Sequence, residues 1–193
     1  MAEEEVKEYD FLMRYIEENE QDIGEAIGRF FCDSYSPRSI IDVGCGPGIY
    51  TAPLQDQVEV LGIDNYRDAG RLLRKENFIL GGIEDYQPTK RYDLALCIEV
   101  AEHIPFELSS ILVSKLADCS DRIVFSSAPP GQGGVHHINC QPQVFWDDLF
   151  TQAQYCIDDA ETKRFKDHLG ANWDMFYRVP WIRDNVRIYR RTT

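Results

Sequence analysis

The chain is short of positive charge: 20 Lys and Arg stand against 33 Asp and Glu, a net charge of −13 over 193 residues. Proteins that bind free DNA or RNA collect basic side chains to displace counterions from phosphates. This balance argues against free nucleic acid as a substrate. Arg183, Arg187, Arg190 and Arg191 form the best local basic run, and alternation along an edge strand explains it as well. None of the six cysteines (Cys32, Cys45, Cys97, Cys119, Cys140, Cys156) lies in a C-x-x-C pair. That excludes a zinc ribbon and a dithiol redox motif, and reduced thiols are expected. No apolar run is long enough to span a bilayer. The acidic start Met1-Ala2-Glu3-Glu4-Glu5 lacks the basic-then-apolar order of a secretory signal. A cytoplasmic protein with no membrane partner is the expectation. No internal repeat, low-complexity tract or linker divides the chain. One domain over 1–193 is therefore expected, with a helical segment at 1–37, a core at 38–140 and a C-terminal part at 141–193 that completes the sheet.

Hydrophobic residues make up 44% of the chain and charged ones 27%, a globular composition. Apolar residues recur at helical spacing across 3–35, most strongly at Ile23, Ala26, Ile27, Phe30 and Phe31. Helices placed before the first strand either pack on the sheet, the default, or cover a ligand cleft. From Ser39 onward strand and helix alternate. Strands are predicted near 39–43, 58–63, 77–81, 92–97 and 121–127, and helices near 50–56, 66–75 and 106–117. A helix over 142–152, a strand at 155–158, a helix at 160–169 and a last strand at 185–190 complete the reading. Such alternation predicts an α/β fold, a doubly wound and mostly parallel sheet with helices on both faces. Right-handed crossovers put the carboxyl ends of the parallel strands on one edge, where ligands bind in such sheets. Gly44, Asp64, Glu99 and Ser126 all fall just past predicted strand ends.

The segment Ile40-Ile41-Asp42-Val43-Gly44-Cys45-Gly46-Pro47-Gly48 reads as a buried strand running into an acid and a glycine turn. It is not the dinucleotide fingerprint G-x-G-x-x-G, whose glycines bring a pyrophosphate onto a helix N-terminus. The acid before the first glycine would repel a phosphate, yet it can pair with an ammonium. A second acid, Asp64, follows the next apolar run and suits ribose hydroxyls. A cationic amino-acid head carrying a nucleoside describes S-adenosylmethionine. The stretch Asp42 to Gly48 resembles the first motif of the class I S-adenosylmethionine-dependent methyltransferases at every fixed position. That resemblance implies a Rossmann-like seven-stranded sheet whose final strand runs antiparallel inside it. It also implies cofactor contacts from Asp42, Gly44, Cys45, Gly46, Tyr50, Asp64, Asn65, Ile83, Glu84 and Glu99. Many members carry an acid after the third strand for the adenine amino group. Here Gly82 stands at that place, within Leu80-Gly81-Gly82-Ile83-Glu84-Asp85.

Two further segments reach the same edge. Tyr92 to Cys97 is an apolar strand followed by Glu99, Glu102 and His103, and it resembles the fourth-strand motif of the same family. Glu102 could equally cap the next helical turn, and His103 could fix the loop. After the fifth strand comes Pro129-Pro130-Gly131-Gln132-Gly133-Gly134-Val135-His136-His137-Ile138-Asn139. It resembles the acceptor loop of small-molecule and sugar methyltransferases, which implies acceptor contacts from His136, His137 and Asn139. The plainer reading is that both histidines bond the loop to itself. His103, His137 and Glu99 are the catalytic candidates, a histidine serving as base if the acceptor is a hydroxyl. Glu99, Glu102, His103 and His137 resemble the metal site of a subset of 2′-O-methyltransferases. The same E-x-x-E-H also occurs in metal-free members, so S-adenosylmethionine alone is the default and a divalent cation the alternative.

The N/D-P-P-Y motif of amino-group methyltransferases is absent after the fourth strand. Tyr86-Gln87-Pro88-Thr89-Lys90 spells the Y-x-x-x-K of short-chain dehydrogenases but lies too early and carries Pro88, so it is a coincidence. The expected function is methyl transfer to a small-molecule or sugar acceptor at oxygen or nitrogen. The alternatives are a nucleotide-binding oxidoreductase on a related sheet and a non-catalytic S-adenosylmethionine-binding protein. In the latter, the aromatic tail (Trp173, Phe176, Tyr177, Trp181) would block the cleft instead of lining it.

Overall fold

The computed structural model describes residues 3–192. Seven strands form one sheet: β1 (Ser39–Val43), β2 (Glu59–Asp64), β3 (Phe78–Leu80), β4 (Leu94–Ile98), β5 (Arg122–Ser126), β6 (Tyr155–Ile157) and β7 (Arg187–Arg191). Their order is β3-β2-β1-β4-β5-β7-β6, with β7 antiparallel to both its neighbours and the remaining pairs parallel. The last strand thus runs reversed inside the sheet, as the resemblance implied. The order reverses between β1 and β4, which places a crevice at their carboxyl ends. Every residue of β1 and of β4 is buried, the pattern of strands covered on both faces.

Two apolar layers sandwich the sheet. On one face α2 (Gln21–Tyr35) presses Ile23, Ile27 and Phe31 onto Ile40, Leu94 and Leu96. There it is joined by α5 (Asp159–Ala171), α6 (Trp173–Phe176) and α7 (Pro180–Asn185) through Phe165, Leu169, Phe176 and Ile182. On the other face α3 (Ser109–Cys119) and α4 (Gln143–Gln152) bury Leu112, Leu116, Trp146 and Phe150 against Ile41, Ala95 and Phe125. Burying side chains of this size contributes about 1.5–3 kcal/mol each. The aromatic tail is divided: Phe176 belongs to the core, while Trp173, Tyr177 and Trp181 remain exposed.

Two predicted helices are not formed. Residues 50–56 hold only a 3₁₀ turn, Ala52–Leu54, with Pro53 inside it. A Cβ on Gly24 would come within 2.5 Å of the Ile49 carbonyl oxygen, and one on Gly28 would meet the Tyr50 carbonyl. The backbone of α2 therefore lies directly on this segment and occupies the layer a longer helix would need. Two amides of residues 66–75 bond across the chain. The Gly70 amide bonds the Gly46 carbonyl at 2.7 Å and the Leu72 amide bonds the Pro47 carbonyl at 3.0 Å. Amides committed to the glycine turn cannot form a helical ladder. The helix predicted over 106–117 begins as a 3₁₀ turn, Phe106–Leu108, and becomes α-helical only at Ser109.

The N-terminal pair is divided as well. While α2 packs on the sheet, α1 (Glu3–Asn19) crosses the crevice, with Met13 buried above Gly46. Among the described residues no helix is long and apolar enough to cross a membrane. All six cysteines are free thiols.

Candidate active site

The glycine turn hangs from the end of β2. The amides of Gly44 and Cys45 both donate to the Ile63 carbonyl, at 2.8 and 3.2 Å. Gly44, Gly46 and Gly48 hold φ of +69°, +52° and +95°, the left-handed region that glycine tolerates best. At Gly44 space is exhausted too, since a Cβ would lie 2.5 Å from both γ-methyls of Val100. Cys45 turns inward: its thiol is buried and its Sγ sits 3.6 Å from the Gly46 carbonyl. Only its backbone is left to serve a ligand.

Three acids converge below and beside this turn. Asp42 is 1% exposed and accepts one hydrogen bond, from the Thr51 hydroxyl at 3.2 Å. Burial pushes its carboxyl up to about 7, with the Asp64 charge adding to the rise and Thr51 opposing it. Asp64 leaves β2 at the mouth, where its two oxygens accept from the Gly46 amide at 2.9 Å and the Tyr66 amide at 2.8 Å. Burial raises it against those two bonds. Glu99 follows β4 with φ +54°, a strained conformation for a side-chain-bearing residue, held by two bonds from its amide to Ser126. Burial raises it also, while donors from Ser126, Asn185 and Gln132 lower it. Tyr50 faces the same space, its phenol pushed up by burial and by Glu20, Asp42 and Glu99. Among the described residues no Lys or Arg pairs with Asp42, Asp64 or Glu99. Buried carboxylates without counter-charges suit a cationic ligand. The three carboxylates therefore fit the ammonium and sulfonium of S-adenosylmethionine.

Of the remaining cofactor candidates, Asn65 is exposed just past Asp64 and Ile83 is buried at 8%. Glu84 lies beside Gly82. Its carboxylate folds back over Gly82, where any Cβ would collide with it.

The second cluster lies where the loop after β4 meets the loop after β5. Glu102 is fully buried, and neither carboxylate oxygen meets a hydrogen-bond donor. Burial, with the Glu99 charge beside it, pushes Glu102 up to about 8. It does not cap the next turn, Phe106–Leu108, whose start carries no side-chain cap. His103 Nδ1 lies 3.3 Å from the His136 carbonyl, and His137 Nδ1 lies 3.2 Å from the Gln132 carbonyl. A carbonyl only accepts, so each Nδ1 carries the proton and each Nε2 keeps a lone pair. Burial, with His137 nearby, brings His103 down to about 4. The two rings meet edge to face at 5.0 Å. Glu102, His103 and His137 each offer one ligand atom, all within 4.8 Å of one another. Glu99 falls outside this group. Its oxygens accept from Asn185 at 3.4 Å and Gln132 at 3.5 Å.

Two acceptor candidates have other work. Asn139 is 1% exposed, and its amide donates to the Ala101 carbonyl at 3.2 Å and the Ser109 hydroxyl at 3.0 Å. It clamps the loop and has no free group for an acceptor. His136 stacks on Tyr9 at 5.0 Å, and its Nε2 comes within 3.3 Å of Glu8, so it docks α1. Tyr9 also stacks on Tyr66, whose hydroxyl donates to Asp10 at 2.5 Å. Sequence reasoning missed Gln132 and Asn185, which bond each other at 3.1 Å and both reach Glu99. Asn185 enters from the chain's far end, and no local pattern marks it.

A family profile described as a methyltransferase domain matches residues 15–165, more than half of the chain. Ubiquinone biosynthesis O-methyltransferase of Rickettsia felis is 37% identical over 78 residues, 36% of this chain and 32% of that protein. Malonyl-[acyl-carrier protein] O-methyltransferase 2 of Ilyobacter polytropus is 32% identical over 82 residues, 37% of this chain and 32% of that protein. The matches thus span about a third of those relatives' length. Among solved structures, the 1,6-didemethyltoxoflavin-N1-methyltransferase of Burkholderia thailandensis, bound to its acceptor and S-adenosylhomocysteine, shares the fold. Its TM-score is 0.61 at 15% identity, over 97% of this chain and 88% of that one. The glycine turn flanked by acids, the sheet order and the profile agree: the chain belongs to the methyltransferase-domain family.

Proposed function

We propose that this methyltransferase moves the methyl group of S-adenosylmethionine to a hydroxyl of a small organic acceptor. The observation that carries this reading is the pair of imidazoles, His103 and His137, which meet at 5.0 Å at the carboxyl edge of the sheet with each Nδ1 bonded to a carbonyl and a lone pair left on each Nε2. A lone pair there can take the hydroxyl proton as the oxygen attacks the methyl. The sulfonium is already a good leaving group, so alignment of acceptor, methyl and sulfur supplies much of the rate. Asp42, Asp64 and Glu99 fix the cofactor in that alignment. Two curated relatives that match part of this chain are O-methyltransferases by name, which agrees with an oxygen acceptor.

A second reading adds a divalent cation, and one observation favours it. Glu102 is a buried carboxyl with no donor, set beside two imidazoles whose other nitrogens are fixed by carbonyls. That is the environment of metal-ligating histidines. Glu102, His103 and His137 would hold the ion. When bound it would lower the pKa of an acceptor hydroxyl and orient it. Under this reading the histidines are ligands, and the base is another group or solvent.

One experiment tests both. Methyl transfer to catechols and other hydroxylated aromatics is followed from labelled S-adenosylmethionine, after EDTA treatment and after addition of Mg²⁺, Mn²⁺ or Zn²⁺. Transfer that survives EDTA and falls in His137→Ala supports the histidine base. Transfer abolished by EDTA and restored by one metal supports the cation. Binding of S-adenosylmethionine with transfer to amines but to no hydroxyl would refute the oxygen acceptor.

A further inference from the structure

The C-terminal arginines are not used by the active site. Arg183 pairs with Asp184 and lies over Trp173, and Arg187 pairs with Asp147 and Gln143. Arg190 and Arg191 instead meet Arg91 and Arg122, two residues far from them in sequence. Together with Tyr92, Asp93, Asp121 and Thr192 these four line a groove of about 470 Å³. The groove lies at the amino ends of β4 and β5 and the carboxyl end of the reversed β7. That edge is opposite the glycine turn.

The charges in this groove do not balance internally. Arg91 caps the end of α3 through the Ala117 and Asp118 carbonyls and shares Asp121 with Arg191, at 2.6 and 3.3 Å. Asp93 accepts from the amides of Arg38 and Ser39. Arg190 reaches only Asp158, at 3.9 Å. Arg122 has no ion-pair partner among the described residues. Its Nε is buried without a hydrogen bond, and its guanidinium lies 4.2 Å over the Tyr35 ring. The nearby Glu161 is already bonded by Tyr35 and Arg164. Moreover, Arg122 and Arg190 face each other directly across the β5–β7 ladder. Like charges directly opposite destabilise a sheet. In a protein of net charge −13, this pairing of two arginines is a local cost that one long ion pair to Asp158 and one aromatic ring offset only in part.

We propose that this groove is an anion-binding site for a phosphate group, with Arg122 and Arg190 as its principal contacts. A guanidinium fork matches phosphate oxygens, and one placed on an aromatic ring is oriented in advance. A phosphate monoester carries nearly two negative charges at neutral pH, which meets Arg122, without an ion pair among the described residues, and Arg190, with a single long one. The volume exceeds that of a bare ion and leaves room for an organic moiety beside Tyr92. The site is separate from the methyl-transfer chemistry.

The test is calorimetric titration of the whole chain, at fixed ionic strength, with inorganic phosphate, with adenosine 5′-monophosphate and with chloride as control. Arg122→Gln, Arg190→Gln and wild type are compared after circular dichroism has shown each to be folded. Saturable phosphate binding that weakens at least tenfold in both variants, with S-adenosylmethionine affinity unchanged, is expected. Tighter binding of the nucleotide than of phosphate would show that the phosphate arrives on an organic carrier. Equal binding would show that the groove reads phosphate alone. No saturable binding of either, or equal binding in wild type and both variants, overturns the proposal. If one variant fails to fold, the other decides.

Discussion

Replacing Asp42 by asparagine should stabilise the ligand-free protein and weaken its hold on S-adenosylmethionine. Asp42 is 1% exposed, with one hydroxyl donor and no cation beside it. Its carboxyl titrates near 3.8 in the unfolded chain and about 7 in the fold. The native state therefore keeps the proton to higher pH than the unfolded state. Stability falls as pH rises from about 4 to about 7 and is level above that. The gap corresponds to about 4 kcal/mol once pH exceeds both values. Asparagine keeps an acceptor for Thr51 and does not ionise. Urea unfolding of the ligand-free proteins should show a small advantage for the variant at pH 4.5. At pH 8.5 that advantage should be larger by about 3 kcal/mol. In a chain of this size each kcal/mol moves the melting temperature by about 2–4 °C. Titration with S-adenosylmethionine at pH 8 should show at least a tenfold loss. An advantage that does not grow with pH, or an unchanged cofactor affinity, would refute the idea that this buried acid is kept for the ligand's positive charge.

Gly44→Ala should cost about 2–4 kcal/mol, from left-handed backbone strain and overlap with Val100; the double variant with Val100→Ala should recover the overlap alone in denaturant unfolding. Asn139→Ala should destabilise by about 1–3 kcal/mol by freeing the Ala101 carbonyl and the loop, lowering the melting temperature and slowing transfer together. Asn185→Ala removes a donor from Glu99 and should raise the KM for S-adenosylmethionine several-fold, an effect that steady-state kinetics separates from kcat. The affinity of the wild type for S-adenosylmethionine should fall as pH drops below about 7, because Asp42 must lose its proton to meet a cation; calorimetry in buffers of different ionisation enthalpy should register the released proton.

The sequence by itself determined the sheet, the glycine turn and the cofactor. Each of these is written locally: apolar runs of strand length, an acid at a strand exit, and glycines where only glycine fits. Asp42, Gly44 and Asp64 could be named because they lie at strand ends, and topology carries strand ends to one edge. Tertiary structure decided whatever depends on partners distant in the chain. The helices expected at 50–56 and 66–75 were lost because α2 lies on the first and the glycine turn takes the donors of the second. Glu84 folds back onto Gly82. Asn139 proved to be a clamp, and Glu99 left the proposed metal group for Asn185, a residue 86 positions away. The arginine groove was illegible for the same reason: Arg122 and Arg190 meet only because β7 runs backwards beside β5. Periodicity reports which face of an element is buried. It does not report which distant side chain will be waiting there, and that pairing decides whether a polar residue binds, braces or reacts.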